Sequence, residues 1–195
     1  MPDQHAADSG WPVTFTFCIM KSNALDLRQL RAEDEQSFMH AFAEFRREDS
    51  PWDFALGFNA ATGFGDYVRL LNCWERGQEL PAGYVAGGFY VGVVSGEIVG
   101  RVSVRFQLNE FLSSVGGHIG YGVRPRYRRQ GYATEMLRQS IPICAAHGID
   151  RALITCDVDN VGSMKVIEGC GGIFEGVTCN PALDIQKRRY WLKTI

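Results

Sequence analysis

The spacing of apolar residues in the first half of the chain predicts two helices set between β-strands. Apolar and polar residues alternate over residues 25–30, which is typical of a half-buried strand. Apolar residues then recur at helical spacing over residues 33–47 and 64–76 and predict two amphipathic helices. The β-type runs 89–94 and 97–107 are separated by a Ser-Gly pair, so they predict a hairpin.

The second half of the chain predicts a regular alternation of strands and helices. The predicted elements are a strand over 117–123, a helix over 131–147, a strand over 151–157, a helix from Asp159 or Asn160 to Glu168, and strands over 173–178 and 186–193. A strand, a helix and a strand in direct succession predict a βαβ crossover with parallel strands. We therefore expect one α/β domain over residues 24–195, built on a mixed central sheet of about seven strands with about four helices. Residues 1–23 are expected to form a flexible N-terminal extension.

The second strand of the predicted hairpin has two chemically different faces. Gly100, Val102, Val104 and Phe106 share one face, and Arg101, Ser103 and Arg105 share the other. Alternate residues of a strand point to opposite sides of the sheet, so these two sets are expected on opposite faces.

Composition excludes several classes of protein. A chain of 195 residues with 46% hydrophobic residues is long enough to bury a core. The formal net charge of −2 gives no overall attraction to nucleic acid or to an anionic membrane. No apolar run approaches the roughly 18–20 residues that span a bilayer. The six cysteines are scattered without a metal-type repeat, which favours reduced thiols in a cytoplasmic protein without a metal site.

The residues that carry the chemistry lie at the start of the crossover helix. Four arginines fall within six positions: Arg124, Arg126, Arg128 and Arg129. Gly131 and the helix follow at once. A helix N-terminus leaves its first N–H groups unpaired and attracts anions, while arginine pairs with phosphate through two hydrogen bonds. The combination predicts a phosphate or diphosphate site.

Two simpler explanations apply to these features when each is taken alone. A basic cluster is often a solvated loop, and a glycine before a helix is often only a turn. Two other phosphate motifs are excluded, because the chain lacks a Walker A sequence and Gly120-Tyr121-Gly122 does not open a helix as a dinucleotide fingerprint does.

The same segment resembles motif A of the GNAT acetyltransferase superfamily. Residues 117–125 end in Val-Arg-Pro, and Arg128-x-x-Gly131-x-Ala133 follows after a short gap. Residues 157–163 resemble motif B, in which an asparagine opens the next helix. The segments Gly-Gly-His-Ile-Gly-Tyr, Thr-Cys-Asp-x-Asp-Asn and Arg-Arg-Tyr-Trp further resemble one branch of predicted acetyltransferases. The resemblance implies the GNAT fold, with two central strands that splay apart.

The resemblance also implies a site for acetyl-CoA as cosubstrate. The residues it assigns to the cofactor are Tyr121, Gly122, Val123, Arg128, Arg129, Gln130, Gly131, Tyr132, Ala133, Asn160 and Ser163. The strand end would bond the pantetheine arm, the segment from Arg128 to Ala133 would wrap the pyrophosphate, and Asn160 would hold a pantetheine amide. An amine would attack the thioester directly, with a backbone N–H near Gly122 or Val123 stabilising the oxyanion.

The acid and the base of this reaction are harder to assign. Many relatives have a tyrosine seven residues after the motif B asparagine, where this chain has Ile167. Tyr121, Tyr132, Ser163 or water is then left to protonate the departing sulfur. For the base, His118 is the first candidate, because histidine titrates near neutral pH, although a structural role is equally open. Glu110, Asp157 and a water relay are the remaining candidates.

Three classes of function follow from these motifs. The first is an N-acetyltransferase whose acceptor is a primary amine of a small molecule or peptide. The second is a non-catalytic acyl-CoA sensor, which the missing tyrosine keeps open. The third is a nucleic-acid-binding module, which the acidic balance of the chain disfavours. A homodimer is possible, and the acceptor pocket is expected within residues 25–115.

Overall fold

The computed structural model describes residues 24–48, 52–180 and 184–195. The proposed N-terminal extension and Cys18 lie outside these ranges. The elements are β1 (Asp26–Gln29), α1 (Glu35–Arg47), α2 (Phe64–Glu75), β2 (Gly87–Val94), β3 (Glu97–Arg105), β4 (Ile119–Val123), α3 (Tyr132–Ala146), β5 (Arg151–Asp157), α4 (Val161–Gly169), β6 (Ile173–Asn180) and β7 (Ile185–Lys193). The predicted order of strands and helices is confirmed.

The strands form one mixed sheet of seven in the order β1-β2-β3-β4-β5-β7-β6. Neighbouring strands are antiparallel except for the pair β4 and β5, which α3 connects as a parallel crossover. The strand count, the mixed character of the sheet and the βαβ crossover agree with the sequence-based prediction of a GNAT fold.

Helices cover both faces of the sheet and enclose two apolar clusters. On one face, α1 and α2 pack on β2 through an aromatic cluster that includes Phe38, Phe54 and Tyr67. On the other face, α3 packs on β3 and β4 through residues such as Met136 and Leu137, both without exposed surface. The two faces predicted for β3 are thereby confirmed.

The parallel strands β4 and β5 pair only where they begin. Their register contains the single pair Ile119–Ile154, although β4 continues to Val123 and β5 to Asp157. Beyond that pair the two strands diverge and leave a gap in the centre of the sheet. The predicted splaying of the central strands is confirmed.

Gly117 fixes the approach of the two strands just before they pair. Its φ is +71°, a conformation that side-chain-bearing residues rarely adopt, and a Cβ there would lie 2.7 Å from the carbonyl oxygen of Leu153. Glycine is therefore required on both grounds.

One local feature differs from the sequence-based expectation. A π-helical turn, Leu112–Gly116, precedes β4, and the Oδ1 atom of Asn109 accepts a hydrogen bond from the N–H of Leu112 at 2.9 Å. Such a turn has no clear apolar period, so the sequence does not reveal it. Helix α3 runs through Pro142 to Ala146. No helix among the described residues is long and apolar enough to cross a bilayer.

Candidate cofactor and active site

The inner edge of β4 carries backbone groups that no neighbouring strand engages within the described parts of the chain. The amide of Arg105 donates to the carbonyl of His118, and the amide of Arg124 donates to the carbonyl of Val99. These two bonds show which residues of β4 direct their backbone groups towards β3. Because an antiparallel ladder alternates, the backbone groups of Tyr121 and Val123 point away from β3 and into the gap. Those of Gly122 point towards Arg101 on β3. Of the two amides considered for the oxyanion, Val123 is the one directed at the gap.

A tight loop connects β4 to α3 and presents free amides. It contains two left-handed residues, Arg129 with φ of +63° and Gly131 with φ of +83°. Within the described ranges, the backbone amides from Arg129 to Ala133 have no protein acceptor, and the first α-helical bond runs from the amide of Glu135 to the carbonyl of Gly131. A Cβ at Gly131 would meet no atom within 4 Å. The loop is thus an open cradle of donors at a helix N-terminus.

Two arginines of the basic cluster are held by carboxylates. Arg124 is fully buried and donates two hydrogen bonds to Glu44, at 3.1 and 2.7 Å, and one to the carbonyl of Ile98 at 2.6 Å. Arg126 lies 3.2 Å from the same glutamate. These side chains fix the loop to α1 and β3, so they do not present free charge to a ligand.

Arg128 is also engaged, contrary to its expected role at the pyrophosphate. Its guanidinium donates to both carboxylate oxygens of Glu48, at 2.7 and 2.6 Å, and to the carbonyl of Val123 at 3.0 Å. Its amide donates to the carbonyl of Pro125 at 3.2 Å. Only Arg129 of the four is left exposed without an ion pair inside the described part of the chain. Glu48 lies 80 residues before Arg128, and sequence spacing carries no sign of that pairing.

The remaining side chains of the loop shape it rather than face a ligand. The Nε2 atom of Gln130 donates to the carbonyl of Arg126 at 3.2 Å, and the ring of Tyr132 packs edge-on against Tyr127. Ala133 packs against the apolar cluster under α3. A ligand in the cradle would therefore meet backbone amides and Arg129.

The start of α4 brings two more predicted residues to the gap. The Oδ1 atom of Asn160 accepts a hydrogen bond from the amide of Ser163 at 2.9 Å and caps the helix. The Nδ2 group of Asn160 stays available as a donor. The hydroxyl of Ser163 lies 3.2 Å from the hydroxyl of Tyr121, so β4 and α4 meet across the gap through this pair.

The environment of Tyr121 keeps its phenol protonated. Burial raises the pKa of Tyr121 well above its ordinary value, and the hydrogen bond with Ser163 acts in the opposite direction. Ile167, at the position where many relatives have a tyrosine, has no exposed surface and belongs to the core. Tyr121 is thus a hydroxyl donor that reaches the gap from a different element.

The surroundings of His118 do not support its expected role as the base. Its Nδ1 atom accepts a hydrogen bond from the amide of Leu153 at 2.9 Å, and its own amide donates to the carbonyl of Leu153 at 2.7 Å. Because Nδ1 accepts this hydrogen bond, the proton of the neutral ring lies on Nε2. The lone pair of Nδ1 is occupied and Nε2 already carries a proton, so neither nitrogen can take a proton from an amine. The histidine instead joins β4 to β5 where they pair.

We expect His118→Ala to change stability rather than catalysis. The variant leaves the amide of Leu153 without its acceptor, which should lower the free energy of unfolding by about 1–2 kcal/mol at pH 7.5. Burial, reinforced by Arg105, lowers the pKa of His118 in the folded chain. As pH falls through about 6.5, the unfolded chain binds a proton that the folded chain does not, so this stabilisation is lost towards acid.

Urea unfolding at pH 7.5 and 5.5 tests this expectation. The difference between the parent and His118→Ala should shrink at pH 5.5, and the exposed His40 of α1 provides a matched control as His40→Ala. An equal difference in the free energy of unfolding at both pH values would contradict this expectation. A loss of turnover without a loss of stability would instead support His118 as the base.

The two carboxylates considered as alternative bases lie in different surroundings. The carboxylate of Asp157 accepts a hydrogen bond from the ammonium of Lys187, at the far end of β5. Glu110 lies on the wall of a cavity of about 600 Å³ on the α2 side of the sheet. Trp74 also lines this cavity, whose walls fall within the segment expected to hold the acceptor.

The gap and the loop fit coenzyme A in the character of their free groups. The inner edge of β4 offers an unpaired strand to the amides of a pantetheine arm, and the cradle after it offers free N–H groups to a diphosphate. In the ranges covered by the structure, no group of His, Cys, Asp and Glu side chains is placed to hold a metal.

Comparison with solved structures supports the fold independently of these residues. Mycobacterium smegmatis RimJ in complex with CoA-disulfide has a TM-score of 0.63 and 18% identity, over 89% of this chain and 83% of that one. The ribosomal-protein-S5-alanine acetyltransferase from Vibrio fischeri has a TM-score of 0.64 and 16% identity, over 87% and 93%. A putative ribosomal-protein-serine acetyltransferase from Vibrio cholerae has a TM-score of 0.58 and 20% identity, over 87% and 93%.

Sequence comparison identifies the family of this chain directly. A search of curated protein sequences gave no match. The family model for the acetyltransferase (GNAT) domain matches residues 24–173, which include the gap, the cradle and the start of α4. The chain therefore belongs to the GNAT acetyltransferase family, the family of acetyl-CoA-dependent N-acetyltransferases that its motifs indicated.

Proposed function

We propose that this protein transfers an acetyl group from acetyl-CoA to a primary amine of a small molecule or peptide, by direct attack within a ternary complex. One observation carries the proposal: the free edge of β4 leads directly into the cradle of free amides before α3. The gap and the cradle thus form one continuous path of backbone donors and acceptors, of the polarity that a pantetheine diphosphate requires.

The roles along this path follow from which groups are free. The amides from Arg129 to Ala133, with the guanidinium of Arg129, would hold the diphosphate. The amide of Val123, whose carbonyl already accepts from Arg128, would bond the pantetheine arm, and the Nδ2 group of Asn160 would donate to one of its amides. Arg128 acts indirectly in this scheme, because it holds the loop to Glu48 and Val123.

One group of the protein is assigned to each proton transfer and to the oxyanion of the reaction. A bound acetyl thioester supplies the activated carbonyl. Glu110 is the carboxylate that we retain as base, since it lines the cavity and has no ion pair within the described ranges. The amide of Tyr121, which faces the gap further from the cradle than Val123 does, would stabilise the oxyanion, and the hydroxyl of Tyr121, bonded to Ser163, would protonate the departing sulfur.

Two of the similar structures agree with this proposal. The Mycobacterium smegmatis protein was solved with CoA-disulfide, and the Vibrio fischeri protein is described as an alanine acetyltransferase acting on a ribosomal protein. At this level of identity the likeness extends to the fold, so the acceptor has to be identified from this chain.

The proposal is tested by binding and turnover measured on the same protein. Saturating acetyl-CoA, at about 100 times its dissociation constant, should stabilise the fold by about 2.7 kcal/mol and raise the melting temperature. Thiol release should then require an amine from a panel of amines, amino acids and peptides. Binding without thiol release from any amine would favour an acyl-CoA sensor, and no binding would refute the proposal.

A homodimer and a cytoplasmic location remain predictions. Strand β6 lies at the edge of the sheet and exposes three large apolar side chains, Ile173, Phe174 and Val177. Such an edge favours pairing with a second chain. Light scattering on the purified protein gives its mass, and a monomeric mass at micromolar concentration would contradict the dimer.

A further inference from the structure

The cavity on the α2 side of the sheet is mostly apolar but contains a largely buried cation. Its apolar walls include Leu56, Leu71, Trp74, Phe89, Phe111 and Leu112. Its polar lining includes Arg105 from the end of β3 and Glu110 from the following loop. An apolar cavity with a few convergent polar groups is the usual form of a small-molecule site.

Arg105 lacks the partner that its burial requires. The one hydrogen bond of its guanidinium among the described residues runs from Nη1 to the carbonyl of Gly117, at 3.3 Å. No carboxylate of the described chain lies within ion-pair distance of it, Glu110 on the same cavity included. Burial lowers the pKa of Arg105, with the nearby Tyr84 acting in the opposite direction. A largely buried guanidinium without an anion is costly, so it needs an explanation.

Arg101, on the same face of β3, is an arginine whose partners the protein itself supplies. Arg101 is fully buried, and its guanidinium donates to the carbonyls of Phe54 and Asp53 and to the hydroxyl of Ser103. Its charge also lies 4.2 Å from the ring centre of Trp52. Arg101 is thus satisfied by the protein. Arg105, four residues later, keeps most of its five donors free of partners in the described chain, beside the cavity.

We propose that Arg105 binds the carboxylate of the acceptor, and that the acceptor is an apolar α-amino acid held in this cavity. The inference rests on the proposed function and names its substrate class. A carboxylate accepts two parallel hydrogen bonds from a guanidinium and supplies the missing charge. The apolar walls receive a large aliphatic or aromatic side chain.

The position of Arg105 also places the amine of such an acceptor near the reacting centre. A Cβ built on Gly120 would lie 3.3 Å from Nη1 of Arg105, so the guanidinium lies over β4. Gly120 immediately precedes Tyr121, where β4 leaves β5 and the gap begins. In an α-amino acid the amine is separated from the carboxyl carbon by one atom. A carboxylate on Arg105 therefore keeps the amine beside β4, in the cavity that Glu110 also lines.

The experiment compares matched amines that differ in the carboxylate. Phenylalanine, leucine, methionine and tryptophan are each assayed with acetyl-CoA beside their amides, their decarboxylated amines and a phenylalanyl peptide amide. Thiol release gives kcat and KM for each. We expect the best amino acid to exceed its amide about 30-fold or more in kcat/KM, mainly through KM. In Arg105→Gln this ratio should fall close to one, and Arg105→Lys should restore part of it.

Controls separate loss of the fold from loss of recognition. Arg76→Gln, at an exposed arginine after α2, should keep the parent ratio. The apo melting temperature of each Arg105 variant reports folding. Equal or better turnover of amides, amines or the peptide, or an unchanged ratio in Arg105→Gln, would overturn the inference while the acetyltransferase proposal stands. If acetyl-CoA binds and no amine reacts in any form, the cavity assignment also fails, and if acetyl-CoA does not bind, the proposed function itself fails.

Discussion

Tyr121→Phe is expected to lower kcat about 100-fold while the dissociation constant for acetyl-CoA changes less than twofold. The phenol is the hydroxyl that reaches the gap, where it lies 3.2 Å from the hydroxyl of Ser163. General acid catalysis contributes about 10² to 10⁴ in rate, and a thiol is a tolerable leaving group, so the lower end of this range applies. Because phenylalanine keeps the ring, packing between β4 and α4 is preserved.

The control for this prediction is the other tyrosine considered as the acid. Tyr132→Phe should leave kcat within about twofold, because the ring of Tyr132 packs against Tyr127 on the loop rather than contacting Ser163. Burial raises the pKa of Tyr121, so its proton should remain in place through pH 9 and activity should not fall there for lack of the acid. Full activity in Tyr121→Phe would assign the proton to water.

Arg129→Glu is expected to raise the dissociation constant for CoA about 100-fold, with little change in the apo melting temperature. Arg129 is the exposed arginine of the cluster without an ion pair in the described residues, and it lies within the row of free amides. Reversing its charge removes an attractive contact with phosphate and adds a repulsive one, worth roughly 2–3 kcal/mol together. Titration calorimetry at two salt concentrations measures the loss, which should be smaller at high salt.

Three variants separate charge from backbone in this loop. Arg129→Gly keeps the left-handed conformation without strain and removes the side chain with its charge but adds no repulsive one, so an intermediate loss of about tenfold is expected. Arg76→Glu is the matched reversal away from the site. Arg128→Glu should instead lower the apo melting temperature, because it places a carboxylate against Glu48 and the carbonyl of Val123. Equal CoA affinity in Arg129→Glu and the parent would contradict the assignment.

Sequence patterns predicted the fold because its elements depend on local spacing. The alternation over β3 and the helical period over α3 each reflect one element packing on the sheet. The gap between β4 and β5 came instead from the resemblance to the GNAT motifs, since splaying leaves no periodic signal. The π-helical turn before β4 was missed for the same reason.

The parts of the site that the sequence left open depend on contacts between distant residues. Arg128 is adjacent to the phosphate loop along the chain, yet Glu48 determines where its charge lies. His118 has the chemistry of a base, yet the amide of Leu153 occupies its ring nitrogen. The role of Arg105 depends on the absence of a carboxylate within ion-pair distance among the described residues, which no single segment records.

Hydrogen–deuterium exchange with and without CoA tests the central claim most directly. The amides from Arg129 to Ala133 have no protein acceptor in the described residues, and those of Tyr121 and Val123 face the gap, so both segments should exchange quickly in the free protein. CoA should slow exchange in these two segments together and leave the edge strand β6 unchanged. Binding of CoA with unaltered exchange from Arg129 to Ala133 would place the diphosphate elsewhere and contradict the account.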